Sequence, residues 1–159
     1  MADAVYLETT FISYLVARDT SDVVRQAQQQ ITRQWWTDCR SHFEIFSSQF
    51  VIDESSAGDP SAAAERLAIL AAIDLLAITP DADPLAQRLL SAGALPSKAR
   101  LDALHIAVAA VNGMQYLLTW NCRHLANAAL RPTIEDACSA AGFQPPIICT
   151  PYELLGESQ

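Results

Sequence analysis

Three carboxylates stand in or directly after apolar runs. Glu8 closes the run Ala4-Val5-Tyr6-Leu7, Glu54 follows Phe50-Val51-Ile52, and Asp102 lies inside LDALHIAVAA. An acid buried alone in such surroundings costs several kcal/mol, so each needs a partner. Brought together, three carboxylates repel one another and tend to hold protons. A hard dication such as Mg²⁺ or Mn²⁺ takes oxygen ligands and relieves that repulsion. Such an ion polarises a phosphate oxygen and lowers the pKa of an attacking water. The chemistry that three such acids would support is metal-dependent cleavage of a phosphodiester.

Taken singly, each acid has an ordinary explanation. Asp102 could form a salt bridge or face a helix dipole. Glu54 could be a solvated acid, and Glu8 could cap the next helix, a task open also to Thr9 or Thr10. The helical pattern sharpens the reading at Glu54. Neighbours on a helix point about 100° apart, so Glu54, at i+3 and i+4 from Val51 and Phe50, projects inward while Asp53 points elsewhere.

The elements that must position these residues alternate between strand and helix. Val5–Leu7 read as a buried strand and Phe11–Ala17 as a short helix behind it. Ser21 is expected to cap a long helix to about Cys39, with Val23, Val24, Ala27, Ile31, Trp35 and Trp36 on its apolar side. Glu44–Ser47 suit a second strand, Gln49–Ser56 one or two helical turns, Ser61–Ala72 a helix and Leu75–Ile78 a third strand. Asp83–Ala92 form an amphipathic helix. Pro96-Ser97 open another, Lys98–Val111, which Asn112-Gly113 ends. Tyr116–Thr119 make a fourth strand, Arg123–Ala129 a helix, Pro132–Ala141 another, Ile147–Cys149 a last strand and Pro151–Leu155 a final helical turn.

Alternating strands and helices imply right-handed crossovers and a parallel sheet covered on both faces. Sites in such sheets lie beyond the carboxyl ends of the strands. Glu8 follows the first strand and Asn121 follows Tyr116–Thr119 at nearly the same offset, so both belong at that edge.

Composition bounds the reading. The 159 residues, 51% of them apolar, suit one domain over residues 1–159 with a sizeable core. No apolar run nears the ~18 residues that cross a bilayer, and MADAVYLETT lacks a signal peptide's basic and apolar regions. A soluble, cytoplasmic protein is expected. Cys39, Cys122, Cys138 and Cys149 show no zinc-like spacing and read as small buried thiols. The net charge of −8 counts against a nucleic-acid partner. Among the bases, though, arginine outnumbers lysine nine to one. Arg18, Arg100 and Arg123 each lie near a candidate segment, and arginine suits bidentate phosphate contacts.

With these residues in view, the chain resembles a PIN domain, the fold of VapC-type toxins of bacterial toxin–antitoxin pairs. VYLETTFISYL resembles that family's opening strand and helix, where V-[YL]-[LVI]-D-[TS]-[SN] is usual. SSQFVIDE resembles its second motif, a serine (Ser48) six residues before an acid (Glu54). LDALHIAVAA resembles the third, with its acid at Asp102, and YLLTWN the fourth, T-x-[DN], with Thr119 and Asn121. The resemblance implies a three-layer α/β/α sandwich around a parallel sheet of four to five short strands. It also implies an endoribonuclease dependent on Mg²⁺ or Mn²⁺, with RNA as substrate, a cognate antitoxin and a homodimer.

Two positions depart from the family pattern. The first acid is glutamate where aspartate is usual, and the fourth is the neutral Asn121 where aspartate is frequent. Three carboxylates suffice for one dication and make a second less favourable. The expected site is a single ion on Glu8, Glu54 and Asp102, with Asn121 positioning water or phosphate. Thr119 could orient Asn121 or phosphate or simply bond backbone, and Arg123 could meet phosphate or form a surface ion pair. His105 reads as a core or supporting histidine, although it could share a helix face with Asp102. His124 reads as a first-turn helix residue. Trp35 and Trp36 read as core or dimer contacts rather than stacking platforms.

Two other function classes remain. A non-catalytic module on the same fold would bind an antitoxin segment or nucleic acid. A hydrolase or phosphatase on another fold is disfavoured, because no G-x-S-x-G elbow, P-loop or G-x-G-x-x-G is present.

Overall fold

Four residues of the first strand, Ala4 to Leu7, are buried, three of them completely. Burial on both faces marks a strand at the centre of a covered sheet. The computed structural model describes residues 1–156 and confirms this position. Strand β1 (Asp3–Leu7) pairs in parallel with β2 (Phe43–Ser47) on one side and β4 (Tyr116–Leu118) on the other. With β3 (Asp74–Leu75) and β5 (Ile147–Cys149) at the edges, the order is β3-β2-β1-β4-β5, parallel throughout.

The helices follow from that order. The chain moves outward from β1 to β3 through α1 (Thr9–Val16), α2 (Val23–Asp38), α3 (Gln49–Ser55) and α4 (Pro60–Leu70). It returns to β4 through α5 (Ala82–Ser91) and α6 (Arg100–Val111), and reaches β5 through α7 (Arg131–Ala140). Right-handed crossovers put the first four helices on one face and the last three on the other. The helix contacts agree: α1 packs on α2, α3 and α4, while α5 packs on α6 and α7. The result is the expected three-layer α/β/α sandwich with a five-stranded parallel sheet.

Several local expectations need correction. The cap of α2 is Asp22, not Ser21; its carboxylate accepts from Arg25 N at 3.1 Å. Val23 and Val24 are 77% and 66% exposed and Ala27 is exposed; the buried positions of α2 are Gln29, Thr32 and Trp35. Trp120 Nε1 donates to Thr32 Oγ1 at 2.7 Å, so a polar contact sets the inward side of α2. The third strand has two residues rather than four, since Leu75 and Ile78 face outward at the sheet edge. Helix α6 begins at Arg100, after a turn closed by Ala99 N on Pro96 O, rather than at Lys98. Its far end is as expected: Gly113, at φ 71°, takes the left-handed conformation that glycine adopts without strain.

No α-helix forms over Arg123–Ala129. Asn127 bonds its own surroundings instead, donating to Arg123 O and accepting from Ala129 N. Local side-chain bonds of this kind compete with helix continuation. Among the cysteines, Cys39, Cys138 and Cys149 are buried as expected, whereas Cys122 is exposed. Among the described residues, no helix is long and apolar enough to cross a membrane.

Candidate active site at the carboxyl edge of the sheet

The chain runs one way from β1 and the other way from β4, so a switch point opens between their carboxyl ends. Glu8 and Asn121 flank it. Glu8 N donates to Leu118 O at 3.1 Å, tying the first acid to the last residue of β4. Glu8 is also the N-cap of α1: its Oε2 accepts from Thr10 N and Thr10 Oγ1, both at 2.8 Å. Thr119 Oγ1 lies 3.2 Å from the same oxygen and accepts from Asn121 N at 2.9 Å. Thr119 therefore connects Glu8 to Asn121, and its hydroxyl does bond backbone. Thr10 Oγ1 completes this knot by accepting from Trp120 N at 2.8 Å.

Glu8 is only 3% exposed. Burial pushes its carboxyl above the usual value; His105 and the Thr10 bonds oppose the rise, and the charge of Glu54 adds to it. Glu54, from α3, is less buried and differs in sign. Burial raises it, but the bond and charge of His105 and the Thr9 hydroxyl together hold it below the usual value. His105 Nε2 and Thr9 Oγ1 each lie 2.6 Å from Glu54 Oε1. Asp53 points away, as the helical phase requires, and accepts from Gln49 Nε2.

Asp102, in the first turn of α6, meets residues from the turn after β4. Asn121 Nδ2 donates to its Oδ1 at 3.3 Å and His124 Nδ1 to its Oδ2 at 3.0 Å. Asn121 Oδ1 accepts from His124 N at 3.0 Å, which fixes the amide's orientation. Arg123 lies in this turn and is exposed. Arg100 pairs with Asp83 instead of facing the site. Arg18 lines a separate groove of about 490 Å³ between α1, α2 and α4, whose walls include none of the candidate site residues.

Four residues enter this picture that the sequence reading did not place in the site. Tyr6 and Thr9 join the Glu54 cluster, Thr10 joins Glu8, and His124 joins Asp102. The threonines carried a signal, since both sit beside the first acid as capping candidates. His124 carried only its spacing from Asn121. His105, three residues from Asp102, bonds Glu54 rather than sharing a face with Asp102.

The donors fit a hard dication by type: three carboxylates and an amide carbonyl. Glu8 and Glu54 each fasten one oxygen, Oε2 and Oε1 respectively, and turn the other away from those hydrogen bonds. Asp102 has both oxygens engaged. Among the described residues, no group of three or more His, Cys, Asp or Glu side chains is already spaced to hold a metal ion. The chemistry fits, and each Asp102 oxygen keeps a lone pair beyond its one hydrogen bond.

Comparison with known structures places this architecture. The chain matches the crystal structure of Mycobacterium tuberculosis VapC20, described as a sarcin–ricin loop cleaving toxin, with a TM-score of 0.54 and 19% identity over 90% of this chain and 100% of that one. At this identity the likeness defines the fold: that of a VapC toxin, as the resemblance to PIN domains implies. No protein-family model and no curated protein sequence matches the chain.

Proposed function

We propose that the protein is a metal-dependent endoribonuclease, a VapC-like toxin or a stand-alone relative, that hydrolyses RNA phosphodiester bonds. The observation that carries this reading is the meeting of all four motif segments at one switch point. Glu8, Glu54, Asp102 and Asn121 come from the junction of β1 and α1, from α3, from α6 and from the turn after β4, and hydrogen bonds through Thr119 and His105 link them to their supports. The matched toxin is described as cleaving the sarcin–ricin loop, so structured RNA is the substrate class to try first.

In this reading Glu8, Glu54 and Asp102 hold one Mg²⁺ or Mn²⁺. When bound, the ion supplies charge stabilisation at phosphate and an activated water. Asn121 positions Asp102 and the phosphate, and Thr119 ties Asn121 to Glu8. Arg123, exposed beside this cluster, is available to the RNA backbone. A cognate antitoxin, a homodimer and a cytoplasmic setting belong to the same reading.

The test is cleavage of structured RNA with Mg²⁺ or Mn²⁺ by the purified protein, compared with Asp102→Ala. Loss of cleavage in the variant is expected; equal activity at equal purity overturns the enzyme reading. One observation favours a second reading, a non-catalytic module: the first acid is glutamate where aspartate is the family's usual residue. Calorimetry separates the two, since a module of that kind binds no Mn²⁺ at millimolar concentration.

A further inference from the structure

Beneath Glu54 lies a chain of buried polar groups for which the proposed cleavage has no direct use. Ser48 Oγ is 2.7 Å from Tyr6 Oη, Tyr6 Oη is 2.7 Å from His105 Nδ1, and His105 Nε2 is 2.6 Å from Glu54 Oε1. Ser48, Tyr6 and His105 are 0%, 0% and 1% exposed. Three polar side chains without access to water survive in a core only if each hydrogen bond is made.

The proton positions follow from the end of the chain. Glu54 Oε1 already accepts from the Thr9 hydroxyl and, as a carboxylate oxygen, accepts again, so the proton in the 2.6 Å contact sits on His105 Nε2. In the neutral ring Nδ1 is then a bare acceptor, Tyr6 donates to it, and Ser48 donates to Tyr6. In the protonated ring Nδ1–H donates to Tyr6, whose hydroxyl turns to Ser48. Both arrangements satisfy every group, and Nε2–H faces Glu54 in both. Burial keeps the Tyr6 phenol protonated throughout.

We propose that Tyr6 and His105 are positioning residues that lock the Glu54 carboxylate, fastening Oε1 from the core so that Oε2 is presented to the ion. Thr9 clamps the same oxygen from the α1 side. Tyr6 acts one step further back: its hydroxyl on Nδ1 holds the ring in the orientation that aims Nε2–H at Glu54. Were Nδ1 to carry the only proton, the Nε2 lone pair would face a carboxylate. The inference rests on the metal-dependent reading of the site, and groups that orient a ligand in this way typically change metal affinity about 10- to 100-fold when removed.

The experiment uses four proteins: wild type, Tyr6→Phe, His105→Gln and His105→Leu. Their folding is checked by circular dichroism and their Mn²⁺ affinity is measured by calorimetry. His105→Leu is expected to bind Mn²⁺ about tenfold or more weakly. His105→Gln, whose amide can still donate to Glu54, is expected to recover most of the loss. Ring-nitrogen NMR on isotope-labelled, metal-free protein is expected to show a bonded, slowly exchanging Nε2–H on His105 in wild type and a weaker, faster-exchanging one in Tyr6→Phe. Wild-type Mn²⁺ affinity in a folded His105→Leu protein overturns the proposal, as does an unchanged Nε2–H signal in Tyr6→Phe. If the wild type itself binds no Mn²⁺, the metal-dependent function fails, and the NMR comparison alone decides whether Tyr6 fixes the ring.

Discussion

His124 Nδ1 lies 3.0 Å from Asp102 Oδ2, joining a turn residue to the acid of a helix twenty-two positions earlier. With Asn121 on the other oxygen, the pair sets the carboxylate plane. If Asp102 serves the reaction, His124 is its support. His124→Ala is expected to lower RNA cleavage about 10- to 100-fold, the range for lost supporting bonds. The melting midpoint should barely move, because His124 is only partly buried. Full activity in His124→Ala would leave this contact without a role in cleavage.

The two glutamates give the protein opposing responses to pH. Glu8 has its native pKa raised above 4.5, chiefly by burial, so its contribution to stability is fully present below about pH 4.5 and declines as pH rises through the native value. Glu54 has its pKa lowered, so its contribution is present above 4.5 and is lost as pH falls through the native value. Glu8→Gln removes the first response. Urea unfolding is therefore expected to show Glu8→Gln gaining on the wild type as pH rises from acid to neutral, with the two converging in acid. A constant difference across that range would mean that Glu8 is not the group being titrated.

Length matters at this position as well as charge. Glu8→Ala is expected to abolish Mn²⁺ binding and, by removing the α1 cap, to destabilise the fold by about 0.5–2 kcal/mol. Glu8→Asp shortens the ligand to the usual residue and is expected to retain or raise Mn²⁺ affinity. Calorimetry and thermal melting read the two effects separately. Normal Mn²⁺ binding by Glu8→Ala would reduce Glu8 to a structural cap.

Thr119 offers a test of the link between the two sides of the switch point. Thr119→Val keeps the shape but removes the acceptor for Asn121 N and a hydroxyl beside Glu8. A loss of about 1–3 kcal/mol in urea unfolding is expected for backbone and carboxylate groups left short of partners. A neutral substitution would show that water or a local shift restores both bonds.

Much of the fold was legible because its signals are local. Runs such as Val5–Leu7 and Tyr116–Leu118, separated by amphipathic stretches, set the number of strands and their parallel pairing. The errors have equally local causes. Val23 and Val24 look like a buried stripe, but the inward side of α2 is decided by Thr32 receiving the Trp120 indole, a contact across 88 positions. The Arg123–Ala129 segment has helical composition, and Asn127 diverts its backbone. At the candidate site, Glu8, Glu54 and Asp102 stood out by their apolar surroundings and by the resemblance. The partners that hold them could not: Tyr6 reaches His105 across 99 positions, a relationship that exists only once the sheet and α6 are assembled.

The placement of β1 has a further consequence, in time rather than space. Val5 pairs with Tyr116 and Glu8 N bonds Leu118 O, so the central strand gains its second neighbour only after more than a hundred further residues have been made. Contacts so distant in sequence close slowly and late. During synthesis Glu8 leaves the ribosome more than a hundred residues ahead of Asn121 and His124. Any activity that needs both edges of the switch point is therefore silent in the nascent chain and appears only when β4 docks.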